Sequence, residues 1–304
     1  VGTMINKGLE LTLGVLILEE KPISWLLEGN ISFNRNKILD LPGDQFASSI
    51  GWNMDDIYIQ RNGMPIGTLW GYKFDGYYDN EAEVRNDPAY ADKAEAVIKS
   101  MIGQPKYKNL DNDPTSISPT DRTVIGDVNP DYTFGITNTF EWKDLFFSFF
   151  LQGNVGNDLV NTYWYRMNSD YGFSRNIPKS VYDSRWIPED FSNGNYSLTP
   201  GLQPEWGILS SSMNRRNLFS DKMIENGSYI RLKNVNIGYR IKAPLKNVDN
   251  IYVYCNVTNL ATWTKYSWYD PEVSIFGSDP TRRGVDLSAY PTSRTVTFGI
   301  KCTF

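Results

Sequence analysis

The sequence predicts an all-β chain: the C-terminal seven or so antiparallel strands of a large transmembrane β-barrel, with long extracellular loops and a minor helix in one loop. Three observations carry this. Seven stretches alternate apolar and polar residues at a period of two. The connections between them are short at one end and long at the other, as in outer-membrane barrels; sandwiches scatter loop lengths over both ends. Aromatic residues reach 14% while the mean hydropathy is only −0.42, a pairing that suits aromatic girdles around a wet interior or a carbohydrate-binding β-sandwich. Strands with so many polar residues on one face do not enclose a lumen by themselves, so the chain reads as the end of a larger wall.

The first strand, about 8–18, sets Leu9, Leu11, Leu13, Val15 and Ile17 on one parity, and Glu19-Glu20-Lys21-Pro22 ends it. The second, about 23–35, returns with Trp25, Leu27, Gly29, Ile31 and Phe33 against Glu28, Asn30 and Ser32. Over 36–130 the alternation dissolves into polar, turn-rich sequence; 67–78 reads as a small surface hairpin and 92–101 as a helix. Strands at about 131–141 and 144–153 form a second hairpin around Glu141-Trp142-Lys143-Asp144. An excursion over 154–227 follows, carrying Trp164, Tyr165, Trp186 and Trp206. In the strand at about 228–241 the apolar parity changes between Leu232 and Val235, which places a bulge near Lys233. A strand at about 250–262, an excursion over 264–293 and a last strand at about 294–304 complete the chain; Val296, Phe298, Ile300, Cys302 and Phe304 share one parity there. Excursions this long usually carry function.

Composition excludes much chemistry. The chain has no histidine, which removes His-based triads, His metal ligands and His general bases, and no catalytic constellation is legible. A formal net charge of −5 gives no general attraction to nucleic acid. Adjacent carboxylates such as Asp55-Asp56 and Glu189-Asp190 point apart and read as solvated loop charge, since paired acid–base work needs a defined separation in a cleft. Cys255 and Cys302 both fall on apolar parities; two readings stand, small apolar side chains or a cross-strand disulfide. No apolar run is long enough for a membrane helix. A secretory leader is not legible at the start, so the sequence reads as a piece of a longer chain. Lys301, Arg240 and Glu28 fall on the polar parity, where a charge avoids lipid, and Trp25, Tyr132, Trp142, Tyr239 and Trp263 fit interfacial girdles.

Several short motifs follow one another in a specific order: Asn6-Lys7-Gly8-Leu9-Glu10; Pro65-Ile66-Gly67-Thr68-Leu69-Trp70-Gly71-Tyr72; Asp121-Arg122-Thr123-Val124-Ile125-Gly126 with Asn129-Pro130-Asp131-Tyr132; Gly156-Asn157-Asp158; Glu225-Asn226-Gly227-Ser228-Tyr229-Ile230-Arg231-Leu232-Lys233-Asn234; Asn259-Leu260; Tyr269-Asp270-Pro271-Glu272; and a terminal aromatic. By these motifs, over nearly its whole length, the chain resembles the C-terminal part of SusC/RagA-like TonB-dependent outer-membrane transporters. The resemblance implies a 22-stranded barrel plugged by an N-terminal domain absent from this sequence. It also implies import of glycans or peptides across the outer membrane of a Gram-negative bacterium, a SusD-like surface lipoprotein as lid, and energy from TonB–ExbB–ExbD through the missing part. Phe304 would then be a barrel assembly signal, and no enzymatic activity is expected.

Two further candidate sites carry alternatives. Asn109-Leu110-Asp111-Asn112-Asp113, with Asp121 beyond it, resembles a degraded form of the family's acidic loop, in which Asp111, Asp113 and Asp121 would ligate Ca²⁺ in the 109–121 loop; Pro114 stands where a glycine would make the sharp turn, which favours an acidic surface turn. Trp164, Tyr165, Trp186 and Trp206 suit stacking of sugar rings or a partner surface, and equally suit holding a long loop together. The competing reading of the whole is a soluble carbohydrate-binding or glycan-degrading β-domain, and it requires a layer that covers the apolar parity.

Overall fold

Antiparallel pairing puts residues of like parity side by side, so the register of each strand decides whether seven separate alternations merge into one continuous face. The computed structural model describes residues 2–20, 22–47, 56–163, 179, 183, 185–186, 188–190, 195–198, 206–208, 218–242, 248–275, 277, 279 and 281–303. The elements begin with β1 (Thr3–Glu20) and β2 (Ile23–Asp40). The first excursion holds β3 (Gln45–Ala47), β4 (Tyr58–Gln60), β5 (Thr68–Gly71), β6 (Phe74–Tyr77), α1 (Glu81–Asn86), α2 (Glu95–Met101), β7 (Pro105–Tyr107) and β8 (Thr123–Asp127). After β9 (Tyr132–Trp142) and β10 (Leu145–Val155), the second holds β11 (Asp158–Asn161), β12 (Arg185–Trp186), β13 (Pro188–Asp190), β14 (Asn195–Leu198), β15 (Trp206–Ile208) and β16 (Ile224–Asn226). Then come β17 (Tyr229–Lys242), β18 (Asn250–Thr264), β19 (Val285–Asp286) and β20 (Thr295–Thr303).

One seven-stranded antiparallel sheet runs β1-β2-β9-β10-β17-β18-β20. Its short connections all lie at one end and its three long excursions at the other. The β9–β10 turn places Lys143 at φ 55°, the left-handed conformation a tight reversal needs. β9 and β10 are 11 residues each, the length a tilted strand needs to cross a bilayer. β1 and β2 are 18 residues each and extend beyond the alternating stretch, the ladder continuing through Ile5 opposite Lys37 and Lys7 opposite Arg35. The predicted bulge is present: Leu232 pairs with Leu151 and Ala261, Asn234 with Phe150 and Thr258, and Lys233 is the extra residue. Asn259 lies across from it at φ 53°. The bulge returns Ile230 and Leu232 to the face of Val235, which resolves the parity change.

The loops differ from expectation in two places. The stretch 67–78 is not a hairpin: β5 lies between β4 and β8, while β6 pairs with β7. Its apolar residues serve a loop core, in which Leu69 is fully buried with Ile57, Tyr58, Val128, Val160 and Val285. That core draws on all three excursions, so they fold as one cap. The helix expected over 92–101 starts at Glu95, and a second helix, α1, precedes it, capped by the Asn80 side chain accepting the Glu83 N–H at 2.9 Å. Val84, Ile98 and Met101 bury the facing sides of the pair.

The cap sits over the polar face of the sheet at its long-loop end, where Ile38, Tyr229 and Arg231 are buried. Nothing among the described residues covers the apolar face: Leu13 is 68%, Ile300 72% and Phe298 78% exposed. No helix among the described residues is long and apolar enough to cross a membrane.

Candidate functional site: a two-faced wall and its loop cap

Read across the strands, the register produces an almost unbroken apolar belt. One row runs Val15, Leu27, Asn138, Phe149, Val235, Val257, Val296; another runs Trp25, Phe140, Phe147, Ile237, Cys255, Phe298. Trp25 stacks on Phe140 at 5.3 Å, and Phe140 on Phe147 at 6.0 Å. The polar intruder Asn138 accepts the Trp25 indole N–H at 3.2 Å, so its carbonyl is paired before it meets an apolar medium. The aromatic residues take two levels: Trp25, Trp142 and Tyr239 near the short turns, Tyr132 and Trp263 at the loop end. Two such levels are the pattern that amphipathic rings form at the edges of a bilayer.

The opposite face is polar. Glu28, Arg240 and Lys301 all lie on it; Arg240 and Lys301 share a row through Tyr252. Two tyrosines fold over glycines: a Cβ on Gly238 would lie 1.9 Å from the Tyr252 hydroxyl, and one on Gly299 would lie 2.2 Å from the Tyr254 ring. Close approach of those rings therefore requires glycine at both positions. At the short-turn end this face opens a cavity of about 380 Å³ between Glu141, Asp144, Arg240, Tyr252 and Lys301. Its mixed charges suit a polar occupant.

A buried cation joins cap and wall. Arg231, 1% exposed, projects from the polar face of β17. Its Nε donates to Thr262 at 3.0 Å, one terminal nitrogen to Glu272 at 2.7 Å and Thr292 at 3.1 Å, and the other to Asp270 at 2.5 Å. Burial pushes the Asp270 carboxyl up, but hydrogen bonds from Thr292, the Glu272 N–H and Arg231 outweigh it and hold the group below its ordinary range. The third excursion is thus strapped to the wall at both ends. A second anchor lies deeper in the cap: Tyr266 donates to Asp286 at 2.7 Å, whose backbone carbonyl accepts from Thr162 at 2.5 Å. Burial, then donation to the Asp286 carboxylate, raises the Tyr266 phenol far above its usual value. Sequence reasoning did not single out Arg231. The signal was present, since an arginine on an otherwise uncharged stretch of inward face must have an acidic partner, and Tyr269-Asp270-Pro271-Glu272 supplies two.

The other candidates are placed as follows. Asp121 accepts the N–H groups of Leu110, Asp111 and Ser118; Asp111 accepts from Asp113 and Thr120, and Asp113 from Thr115 and Ser116. These carboxylates close the loop on itself, and no group of three or more metal-binding side chains converges among the described residues. Trp164, Tyr165 and Phe304 lie outside the described residues. Trp186 and Trp206 lie on β12 and β15, which pair in parallel. Cys255 and Cys302 are free: Cys255 faces Phe298 and Cys302 faces Ile251, so the disulfide reading is set aside.

No family model matches the chain. It aligns over its whole length with TonB-dependent receptor P26 of Formosa agariphila at 30% identity, covering 29% of that protein. TonB-dependent receptor P3 of the same organism is 28% identical, with 29% covered, and TonB-dependent receptor SusC of Bacteroides thetaiotaomicron 24% identical, with 27% covered. The chain therefore spans under a third of the curated relatives it matches. Among solved structures, that of the RagAB peptide transporter superposes on the whole chain with a TM-score of 0.72 at 20% identity, over 29% of its own length.

Proposed function

We propose, because this chain belongs to the SusC/RagA-like TonB-dependent receptors, that it forms the last strands of the barrel wall and part of the extracellular cap of an energy-coupled outer-membrane importer. The observation that carries this reading is the uncovered belt: an apolar face continuous across seven strands, edged by aromatics at two levels, with Glu28, Arg240 and Lys301 on the opposite face. A soluble carbohydrate-binding domain would have to cover that face; a lipid bilayer is the solvent in which it needs no cover.

In this reading the polar face lines the lumen. The uncharged Asn, Thr and Tyr groups along it suit hydrated passage of a large polar nutrient, an oligosaccharide or a peptide. The cap, pinned by Arg231, is a rigid extracellular surface against which a SusD-like lipoprotein would seat. Energy would arrive from TonB–ExbB–ExbD through parts of the receptor outside this chain. The work is transport, and nothing in the reading calls for catalysis. Phe304 would direct assembly of the barrel, a role separate from its contribution to stability.

The test uses the full-length receptor in its own host. We expect it in the outer-membrane fraction with heat-modifiable migration, and we expect growth on oligosaccharide or peptide mixtures to fall when the receptor or TonB is deleted. A monodisperse water-soluble receptor without detergent would refute the reading. Deleting Phe304 is expected to lower the amount assembled far more than the melting temperature of what assembles.

A further inference from the structure

We propose that the outward face between β1 and β9 binds a phosphorylated membrane lipid, with an acyl chain in an apolar groove over Gly29 and the anionic headgroup held by Lys7 and Lys37 above it. This rests on the membrane-wall reading. The groove has a volume of about 500 Å³; Leu11 and Leu13 form one bank, Tyr132, Phe134 and Ile136 the other, and Gly29 lies on its floor between Leu27 and Ile31. Gly29 sits in register between Leu13 and Ile136, so the missing side chain is what makes the trough. Packing does not require that absence. A Cβ on Gly29 would meet only the Gly135 carbonyl oxygen, at 3.8 Å, and the backbone there is ordinary extended strand. A trough one side chain deep between two strands matches the width of a hydrocarbon chain. It is too narrow for a protein partner, which needs a broad patch.

The cations stand further along the same outward face, beyond Ile31, Phe33 and Arg35 of β2 and outside the lining of the trough. Lys7 and Lys37 share the outward parity of Leu9 and Leu11, with Lys7 opposite Arg35 and Lys37 opposite Ile5. Lys7 is two residues past Leu9, about 7 Å further along the strand, which is headgroup depth once the apolar belt is set in hydrocarbon. The acidic group beside them, Asp131, is taken by Arg35 at 2.8 Å, and Arg35 also donates to the Pro130 and Asp131 carbonyls. That bracket ties β2 to the top of β9 and leaves Lys7 and Lys37 without an ion-pair partner among the described residues. Two exposed cations with no ion-pair partner among the described residues, on the same face as an apolar trough, are complementary to a phosphate on an acylated lipid.

The experiment places the full-length receptor in phosphatidylcholine nanodiscs doped with either diphosphoryl lipid A or its dephosphorylated form. The receptor is then extracted in mild detergent, and retained lipid is quantified by mass spectrometry. We expect wild type to retain the diphosphoryl form well above the dephosphorylated one, Lys7→Gln with Lys37→Gln to lose retention by roughly five-fold per lysine, and Lys7→Arg with Lys37→Arg to keep it. Gly29→Leu, which fills the trough, is expected to lower retention with both lysines intact. Equal retention of the two lipids, or glutamine variants that retain as much as wild type, overturns the proposal; an unchanged Gly29→Leu overturns its groove. Failure of the wall reading looks different: the receptor then does not insert into the nanodiscs at all.

Discussion

Arg231→Met removes the one cation that Asp270 and Glu272, near the start of the third excursion, share. Asp270 is 3% exposed and would remain in place with its charge unpaired. Breaking a buried pair from one side costs about 3–5 kcal/mol, because the surviving charge has lost both its counter-ion and its water. Thr262 and Thr292 are neutral and cannot replace the cation, and Glu272, half-exposed, can turn to Lys233, which already donates to it at 3.1 Å. The penalty therefore concentrates on Asp270 and should appear as local opening of 265–294, while the strand ladder remains intact. Hydrogen exchange of the full-length receptor in detergent reads this directly: protection in that segment should fall by at least a hundred-fold, with β9 and β10 unchanged. Arg231→Met combined with Asp270→Asn removes both charges, and protection should recover most of the loss. A single variant that loses less than about 1 kcal/mol, or a double variant no better than the single, would refute the claim that a charge clamp fastens the cap.

Acid should open the same strap. The folded Asp270 carboxyl is held below its ordinary value, so its contribution is complete above the unfolded pKa near about 3.9 and is lost as pH falls through the lower folded value; exchange in 265–294, corrected for intrinsic rate, should rise below about pH 4, and no change down to pH near 2 would count against it. Gly299→Val forces a side chain into the Tyr254 ring and should cost about 1–3 kcal/mol; Gly299→Val with Tyr254→Ala should restore most of this in thermal unfolding of the purified barrel. Leu13→Arg places a cation in the middle of the belt and should cost about 2–4 kcal/mol and lower the assembled fraction, whereas Thr12→Arg, one residue away on the opposite face, should assemble at the wild-type level. Asn138→Leu removes the belt's polar acceptor but leaves the Trp25 indole N–H without its partner, and should cost about 1–3 kcal/mol in thermal unfolding of the purified barrel.

Period-two alternation is a local property, and the sequence by itself determined the strands it marks: the β9–β10 hairpin, the final strand, the parity of Glu28, Arg240 and Lys301, and the bulge at Lys233, where the alternation breaks its own rule. The asymmetry of connection lengths is equally local, and it set the long excursions at one end. The tertiary structure decided what depends on partners far apart in the chain. Apolar residues in the excursions carry no period, so the sequence did not distinguish a surface hairpin at 67–78 from strands that seal a shared core, and Leu69 meets Val160 and Val285 only because three excursions converge. Arg231 and Asp270 lie 39 residues apart; each motif is visible alone, but burial of the pair is a fact of folding. The trough over Gly29 likewise has walls from β1 and β9 that become neighbours of the same strand only when the sheet register is fixed, since a glycine in one strand says nothing about the side chains that will flank it.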